Sequence, residues 1–151
     1  MAQVLTLTWV CFLGTYHQVI SFETGGDCDI IDITEAVEGI LTECNLSSGL
    51  CTIFCPGSTG AVTTIEYEGG LLKDFPNAME RIAPRDAKYE HDKRWGDGNG
   101  HSHIRASVVG PSLTIPFVNN RLTLGTWQQV VFVDYDNRPR NRSLEILLLG
   151  E

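Results

Sequence analysis

Two segments near the C-terminus, VVFVDY (130–135) and LEILLL (144–149), carry apolar side chains at successive positions. Successive side chains of a β-strand point to opposite faces of the sheet, so such strands are apolar on both faces. Both faces must then be covered, by helices of the same chain or by another subunit. The two segments therefore predict a layered fold and favour an assembly of several chains.

Other segments have the composition of strands, and two have the spacing of helices. Strand composition is found over residues 17–24, 49–55, 61–68, 101–110, 111–119 and 121–136. Helical spacing predicts a first helix that begins at Thr34, as its N-cap, and ends at Asn45. A second helical segment, 69–84, contains Pro76, which predicts a break or a new helix start there.

Few helices beside many strands predict the α+β class, with a mixed, largely antiparallel sheet. The pair Asn119-Asn120 suits a tight hairpin turn, because asparagine tolerates positive φ. We detect no repeat or linker, and a length of 151 residues suits one domain over 1–151.

Charge and cysteine content restrict the classes of partner. The formal net charge of -8 repels a phosphate backbone, so we expect no nucleic-acid partner. Five cysteines without a CxxC pair indicate buried reduced thiols and a cytoplasmic protein. The first sixteen residues lack the basic start of a signal peptide and are too short to span a membrane. We interpret them as a strand or a non-native start, and expect no membrane partner.

The stretch WGDGNGHSH (95–103) is the strongest candidate for a functional site. If 101–110 is a strand, His101, His103 and Arg105 share one face. A folded-back loop would add His91, and three imidazoles could then hold a divalent ion, Zn or Mg. The alternative is a polar loop that happens to contain histidine. Asp97 and Glu66 are the nearest carboxylates for a fourth ligand or a base.

A phosphate-binding role is the second hypothesis for this region. Arg105 offers a bidentate cationic contact, and the hydroxyls of Ser58 and Thr59 could donate hydrogen bonds to phosphate. Trp127 and Gln128, in LGTWQQV, offer a flat apolar wall and an amide. Each of these residues also has an ordinary structural role in a salt bridge, a turn or the core. No P-loop, dinucleotide fingerprint or serine-hydrolase elbow is present in the sequence.

The blocks GDGNGHSHIRASVVGPSLTIPF and LGTWQQVVFVDYD resemble the YjbQ family of small proteins, as do DIIDIT, FCPGSTGAVTTIEYE and ERIAPRDAKYEHD. The resemblance covers about residues 18–150 and excludes 1–16. It implies an α+β fold with a mixed sheet, a homotrimer and a secondary thiamine-phosphate synthase activity. The polar residues that it carries over are Glu66, His91, Asp97, Asn99, His101, His103, Arg105, Ser107, Trp127 and Gln128. One departure is Gly57-Ser58-Thr59, where many relatives have His-Thr-Thr.

The leading hypothesis is therefore a thiamine-phosphate synthase-type transferase, which joins a pyrimidine diphosphate to a thiazole phosphate and releases pyrophosphate. In it, a divalent ion or Arg105 neutralises the leaving group, the histidines hold the ion or move protons, and Glu66 acts as base. Asn99, Ser107, Trp127 and Gln128 join Ser58 and Thr59 in binding the phosphorylated substrate. The alternatives are a metal- or phosphometabolite-binding protein without turnover, and a metal-dependent hydrolase.

Overall fold

The computed structural model describes residues 13–151. Residues 1–12 of the segment 1–16, which the sequence indicates to be a strand or a non-native start, lie outside the described residues. The elements are β1 Gly14–Thr24, β2 Asp29–Asp32, α1 Thr34–Glu43, β3 Ser48–Phe54, β4 Gly60–Ile65, α2 Leu71–Ile82, α3 Glu90–Trp95, α4 Gly100–Val109, β5 Ser112–Val118, β6 Arg121–Leu122, β7 Gln129–Asp134 and β8 Arg140–Gly150. The predicted α+β class is confirmed. All pairs between the described strands are antiparallel.

The strands form two sheets with a hydrophobic core between them. Five strands lie in the order β1-β8-β3-β5-β6, and three lie in the order β2-β7-β4. Phe132 of β7, Ile146 of β8 and Leu41 of α1 belong to one buried cluster. The two sheets and α1 therefore share a core, in the layered arrangement that apolar sheet faces require.

Strand β7 is covered on both faces within one chain. Phe132 faces the core between the sheets. Val131 and Val133, on the other face, pack with Met79 of α2 and Ala106 of α4. The sequence left open whether helices or another subunit cover this strand, and helices of the same chain do so.

Strand β8 is covered on one face only among the described residues. Leu144, Ile146 and Leu148 are buried in the core. Leu147 and Leu149 alternate with them and are 44% and 42% exposed. The outer side of the five-stranded sheet therefore exposes leucines beside polar pairs such as His17–Glu145 and Thr52–Thr114.

Three local predictions have different outcomes. Asn119 and Asn120 have φ of 53° and 60° and join β5 to β6, so the hairpin is confirmed. Thr34 is the first residue of α1 and not its cap, because its hydroxyl donates to Asp32 Oδ1 at 2.6 Å. Helix α2 continues through Pro76 without a break.

The thiols agree with the sequence interpretation over the described residues. Cys28, Cys44, Cys51 and Cys55 are all free and buried. Burial raises the pKa of Cys28 and of Cys51 to about 12, so both thiols stay protonated near neutral pH. Their contribution is to packing, as is usual for free cysteine.

Candidate functional site

A polar cavity of about 460 Å³ lies where β7 and β8 meet the helices α3 and α4. Its lining comes from the β3–β4 turn, from α3 with the loop after it, and from the start of β8. The lining residues are Gly57, Ser58, Thr59, His91, Trp95, Asp97, Asn99, His103, Asp136, Arg140 and Arg142. Most of them are charged or can form hydrogen bonds, so the cavity suits a polar ligand.

Two arginines form one wall of the cavity and are held from behind by buried aspartates. Arg142 donates to Asp134 through Nε at 2.7 Å and through Nη2 at 2.6 Å. Arg140 donates to Asp136 through Nε at 2.7 Å. The side chains of Asp134 and Asp136 are 0% and 2% exposed. This support fixes both guanidinium groups in place, and among the described residues no hydrogen bond uses either Nη1 atom.

Thr59 connects the two ion pairs. Its Oγ1 donates to Asp136 Oδ2 at 3.1 Å and accepts from Arg142 Nη2 at 2.8 Å. Burial alone would raise the pKa of Asp136, but hydrogen bonds from Arg140, from the Asn137 backbone and from Thr59 lower it. Asp136 is therefore ionised near neutral pH and keeps Arg140 in position.

His91, His103 and Asp97 also line the cavity, and Asp92 lies beside His91. The rings of His91 and His103 have their centroids 4.4 Å apart. His91 Nδ1 lies 3.6 Å from Asp92 Oδ1 and 3.4 Å from Asp97 Oδ1. One ligand atom from each of His91, Asp92 and Asp97 falls within 4.8 Å of the others, a spacing that suits a metal ion.

Glycines bring α3 and α4 close together beside these residues. Helix α3 ends at Trp95 and is followed by Gly96, whose φ of 71° favours glycine. Gly100 begins α4, and its N–H donates to Asp92 Oδ1 at 2.8 Å. A Cβ at Gly100 would lie 2.5 Å from Tyr89 Cβ, so the close packing requires glycine here.

The predicted strand over 101–110 is wrong, because Gly100–Val109 is helix α4. Residues two apart on a helix face different directions, whereas residues four apart share a face. His101 and Arg105 accordingly share the buried face, and His103 lies on the cavity side. The three side chains therefore do not converge, contrary to the prediction.

Arg105 and His101 lie outside the cavity. Arg105 donates to Ala83 O from Nε at 3.0 Å and forms a short ion pair with Glu80. His101 is 1% exposed, and Ser102 Oγ lies 3.3 Å from its Nε2. Burial and then the nearby Arg105 charge lower the pKa of His101. Arg105 therefore connects α4 to the C-terminal part of α2, and the His101 ring lies near the ring of Tyr89, with centroids 6.3 Å apart.

The chain is similar to known proteins over most of its length. Residues 18–151 match the family described as UPF0047 protein YjbQ-like. This chain belongs to the YjbQ family. It is 36% identical over 140 residues to a UPF0047 protein of Methanothermobacter thermautotrophicus, with 93% of this chain and 96% of the relative covered. It is also 36% identical over 124 residues to the UPF0047 protein YugU of Bacillus subtilis, covering 81% and 90%.

Solved YjbQ-like structures have the same fold. A YbjQ-like protein of unknown function from Sulfolobus solfataricus superposes with a TM-score of 0.88 at 28% identity, over 93% of this chain and all of that one. A hypothetical protein from Aeropyrum pernix gives a TM-score of 0.83 at 31% identity, over 90% and 99%. The α+β architecture is therefore that of the YjbQ family.

Three residues that the YjbQ resemblance carries over lie at the opposite end of the β4–β7 pair. Gly60 pairs with Asp134 at the cavity end, and Ile65 pairs with Gln129 at the other. Five residues of strand separate these ends by about 17 Å. Glu66, Trp127 and Gln128 adjoin the Ile65 end, where Gln128 Nε2 donates to Thr64 Oγ1 at 3.3 Å. They do not line this cavity, and Trp127 is 70% exposed.

The remaining predicted residues lie in the cavity or beside it. Ser58, Thr59 and Asn99 line it, and Ser107 lines a neighbouring cavity of about 190 Å³ that also contacts Ser58. Sequence reasoning missed Arg140 and Arg142. A signal was present in DYDNRPRNR, where acids and then bases recur at every second position. Among the described residues of this YjbQ-family chain, no helix is both long and apolar enough to cross a membrane.

Proposed function

We propose that this chain is a transferase for phosphorylated small molecules, of the thiamine-phosphate synthase type. It would join a pyrimidine diphosphate to a thiazole phosphate with release of pyrophosphate. The observation that carries the proposal is the pair Arg140 and Arg142, whose guanidinium groups are fixed by buried aspartates at the wall of a polar cavity. A fixed guanidinium pair is suited to phosphate recognition because its donors match the oxygens of an anion.

The step of this reaction that most requires stabilisation by the protein is the departure of pyrophosphate. The bond between the pyrimidine side-chain carbon and the diphosphate oxygen breaks, and its electron pair leaves with pyrophosphate. The lone pair of the thiazole nitrogen then forms the new bond to that carbon. Negative charge therefore accumulates on pyrophosphate, where fixed cationic groups lower the barrier.

Other cavity residues supply the remaining contacts in this proposal. Ser58 is exposed at the β3–β4 turn, and its hydroxyl can donate to a phosphate oxygen. His103 can donate a hydrogen bond or a proton to the departing pyrophosphate. Trp95, 65% exposed on the cavity rim, offers the flat apolar wall that the sequence analysis assigned to Trp127.

The decisive assay incubates the purified chain with the two thiamine precursors, with and without a chelator. Formation of thiamine phosphate and pyrophosphate over many turnovers supports the transferase. Tight binding without product would overturn it in favour of a phosphometabolite-binding protein. Cleavage of the diphosphate without coupling to the thiazole would overturn it in favour of a metal-dependent hydrolase.

Arg140→Lys should weaken pyrophosphate binding roughly ten- to a hundredfold, as measured by titration calorimetry. Lysine keeps the charge but loses the planar fork, and one charge-assisted contact contributes about 1.5–3 kcal/mol. Arg105→Lys should leave this affinity unchanged, because Arg105 contacts Glu80 and Ala83 outside the cavity. Arg121→Lys, at an exposed arginine of β6, is the surface control and should also leave this affinity unchanged. A loss for Arg105→Lys with none for Arg140→Lys would contradict the proposed anion site.

We also propose that the chain acts as a homotrimer in the cytoplasm. An apolar patch on the outer face of the five-stranded sheet supports an assembly, since Val19, Leu50, Leu147 and Leu149 on three adjacent strands are each 42–46% exposed. The buried free thiols favour a reducing compartment.

Light scattering should give three chains of 16.7 kDa, about 50 kDa in total. Leu149→Glu should lower this mass, because it places a charge on the apolar face. Val108→Glu is the matched control, since Val108 is 58% exposed on α4, away from that sheet. A wild-type mass of one chain at micromolar concentration would refute the trimer.

A further inference from the structure

We infer that His91, Asp92 and Asp97 bind one divalent transition-metal ion at the edge of the cavity that the two arginines also line. The predicted set of His91, His101 and His103 is not brought together by the fold, because α4 directs His101 into the interior. The proposed ligands come instead from α3 and from the loop after it. This site concerns metal binding alone and does not depend on the proposed reaction.

The distances around His91 Nδ1 are those between the ligands of one ion. This nitrogen lies 3.4 Å from Asp97 Oδ1 and 3.6 Å from Asp92 Oδ1. Both distances exceed those of ordinary N–H···O hydrogen bonds, and this buried nitrogen has no hydrogen-bond partner among the described residues. Ligands about 2.1 Å from a tetrahedral ion are separated by about 3.4 Å. A shared ion accounts for three close polar atoms that do not bond to one another.

Asn99 provides an independent observation at the same site. It is 7% exposed and lines the cavity together with His91 and Asp97. Its Oδ1 atom is buried and accepts no hydrogen bond from the described residues. A buried oxygen without a donor is unfavourable, so it needs a ligand of its own. A bound cation, directly or through a coordinated water, satisfies it.

The local charge also favours a cation. Asp134 and Asp136 are paired with Arg142 and Arg140. Asp92 and Asp97 lie beside the His91 ring, and neither has a lysine or arginine partner among the described residues. One divalent ion neutralises these two carboxylates.

The donor set selects the class of ion. One imidazole nitrogen beside carboxylate oxygens is typical of Zn²⁺ or Mn²⁺, whereas Mg²⁺ prefers oxygen ligands alone. With three protein ligands, the ion keeps an open position toward the cavity. A phosphate oxygen or a water can occupy that position.

Titration calorimetry of chelator-treated protein with Zn²⁺ or Mn²⁺ tests the site without any substrate. We expect one ion per chain, and tighter binding of these ions than of Mg²⁺. Asp97→Asn should weaken the binding at least tenfold, since it removes a charged ligand from a side chain that is 45% exposed and tolerant of change. His91→Ala should have a similar or larger effect.

Two variants control for binding by surface groups. Glu35→Gln removes an exposed carboxylate of α1, and Asp86→Asn removes an exposed carboxylate between α2 and α3. Neither should change the affinity. Equal weakening by control and site variants, tighter binding of Mg²⁺ than of Zn²⁺ or Mn²⁺, or no uptake by the folded wild type would each overturn the inference. Because no substrate is present, each result is independent of the transferase assay.

Discussion

Replacing Asp134 by alanine is expected to lower the free energy of unfolding by about 3–5 kcal/mol. The carboxylate is fully buried and accepts four hydrogen bonds. Two come from Arg142, one comes from Thr24 Oγ1 at 2.5 Å, and one comes from the Asp136 backbone at 2.9 Å. Alanine removes all four and leaves the mostly buried Arg142 without its main partner. Chemical denaturation followed by circular dichroism measures the loss.

Asp86→Ala is the control for Asp134→Ala. Asp86 is exposed in the segment between α2 and α3, so its loss should change the free energy of unfolding by no more than about 0.5 kcal/mol. If the two variants unfold at the same denaturant concentration, the buried ion pair does not stabilise this fold. The geometry of the arginine wall would then need another explanation.

Phe132→Ala is expected to lower the free energy of unfolding by a similar amount, about 3–5 kcal/mol. The Phe132 ring is fully buried and meets the Phe22 ring edge-to-face, with the centroids 5.3 Å apart. A Cβ at Gly60 would lie only 2.7 Å from Phe132 Cζ, which shows how closely the ring is packed. Its removal leaves a cavity between the two sheets. Thermal and chemical unfolding measure the effect.

The control for Phe132→Ala is a large apolar side chain at the surface. Ile82, the last residue of α2, is 52% exposed, so Ile82→Ala should change stability by less than about 1 kcal/mol. Equal losses for the two variants would mean that the space around Phe132 refills on truncation.

Prediction from the sequence succeeded where one local pattern determined the element. The apolar run 130–135 required cover on both faces, and the asparagine pair required positive φ; both features are present. The segment 101–110 was predicted as a strand from its composition, and the shared face of His101, His103 and Arg105 followed from that prediction. Its small residues, Ser102 and Ala106, are four apart and buried, which is the spacing of a helix packed on a sheet. The sequence of 101–110 is compatible with a strand or with a helix, and the packing of its buried residues favours the helix.

The candidate site combines residues that the sequence singled out with residues that it did not. Ser58, Thr59, His91, Asn99 and His103 line the cavity together with Arg140 and Arg142. The arginines were missed because their positions depend on Asp134 and Asp136, which lie across the turn between β7 and β8. In the sequence these residues are charged side chains near a turn. The pairing of the strands is needed to show that Arg140 and Arg142 line one cavity.

The order of strands in the larger sheet determines when the fold can be completed during synthesis. Strand β8 lies between β1 and β3, and its pairing with β1 joins Gly14 to Gly150. A nascent chain that has not yet released β8 from the ribosome lacks the strand that connects these two neighbours. Contacts so distant in sequence slow folding and expose strand edges in the meantime. Arg140 and Arg142 belong to the same strand, so the arginine wall of the candidate site forms only when β8 has joined the sheet.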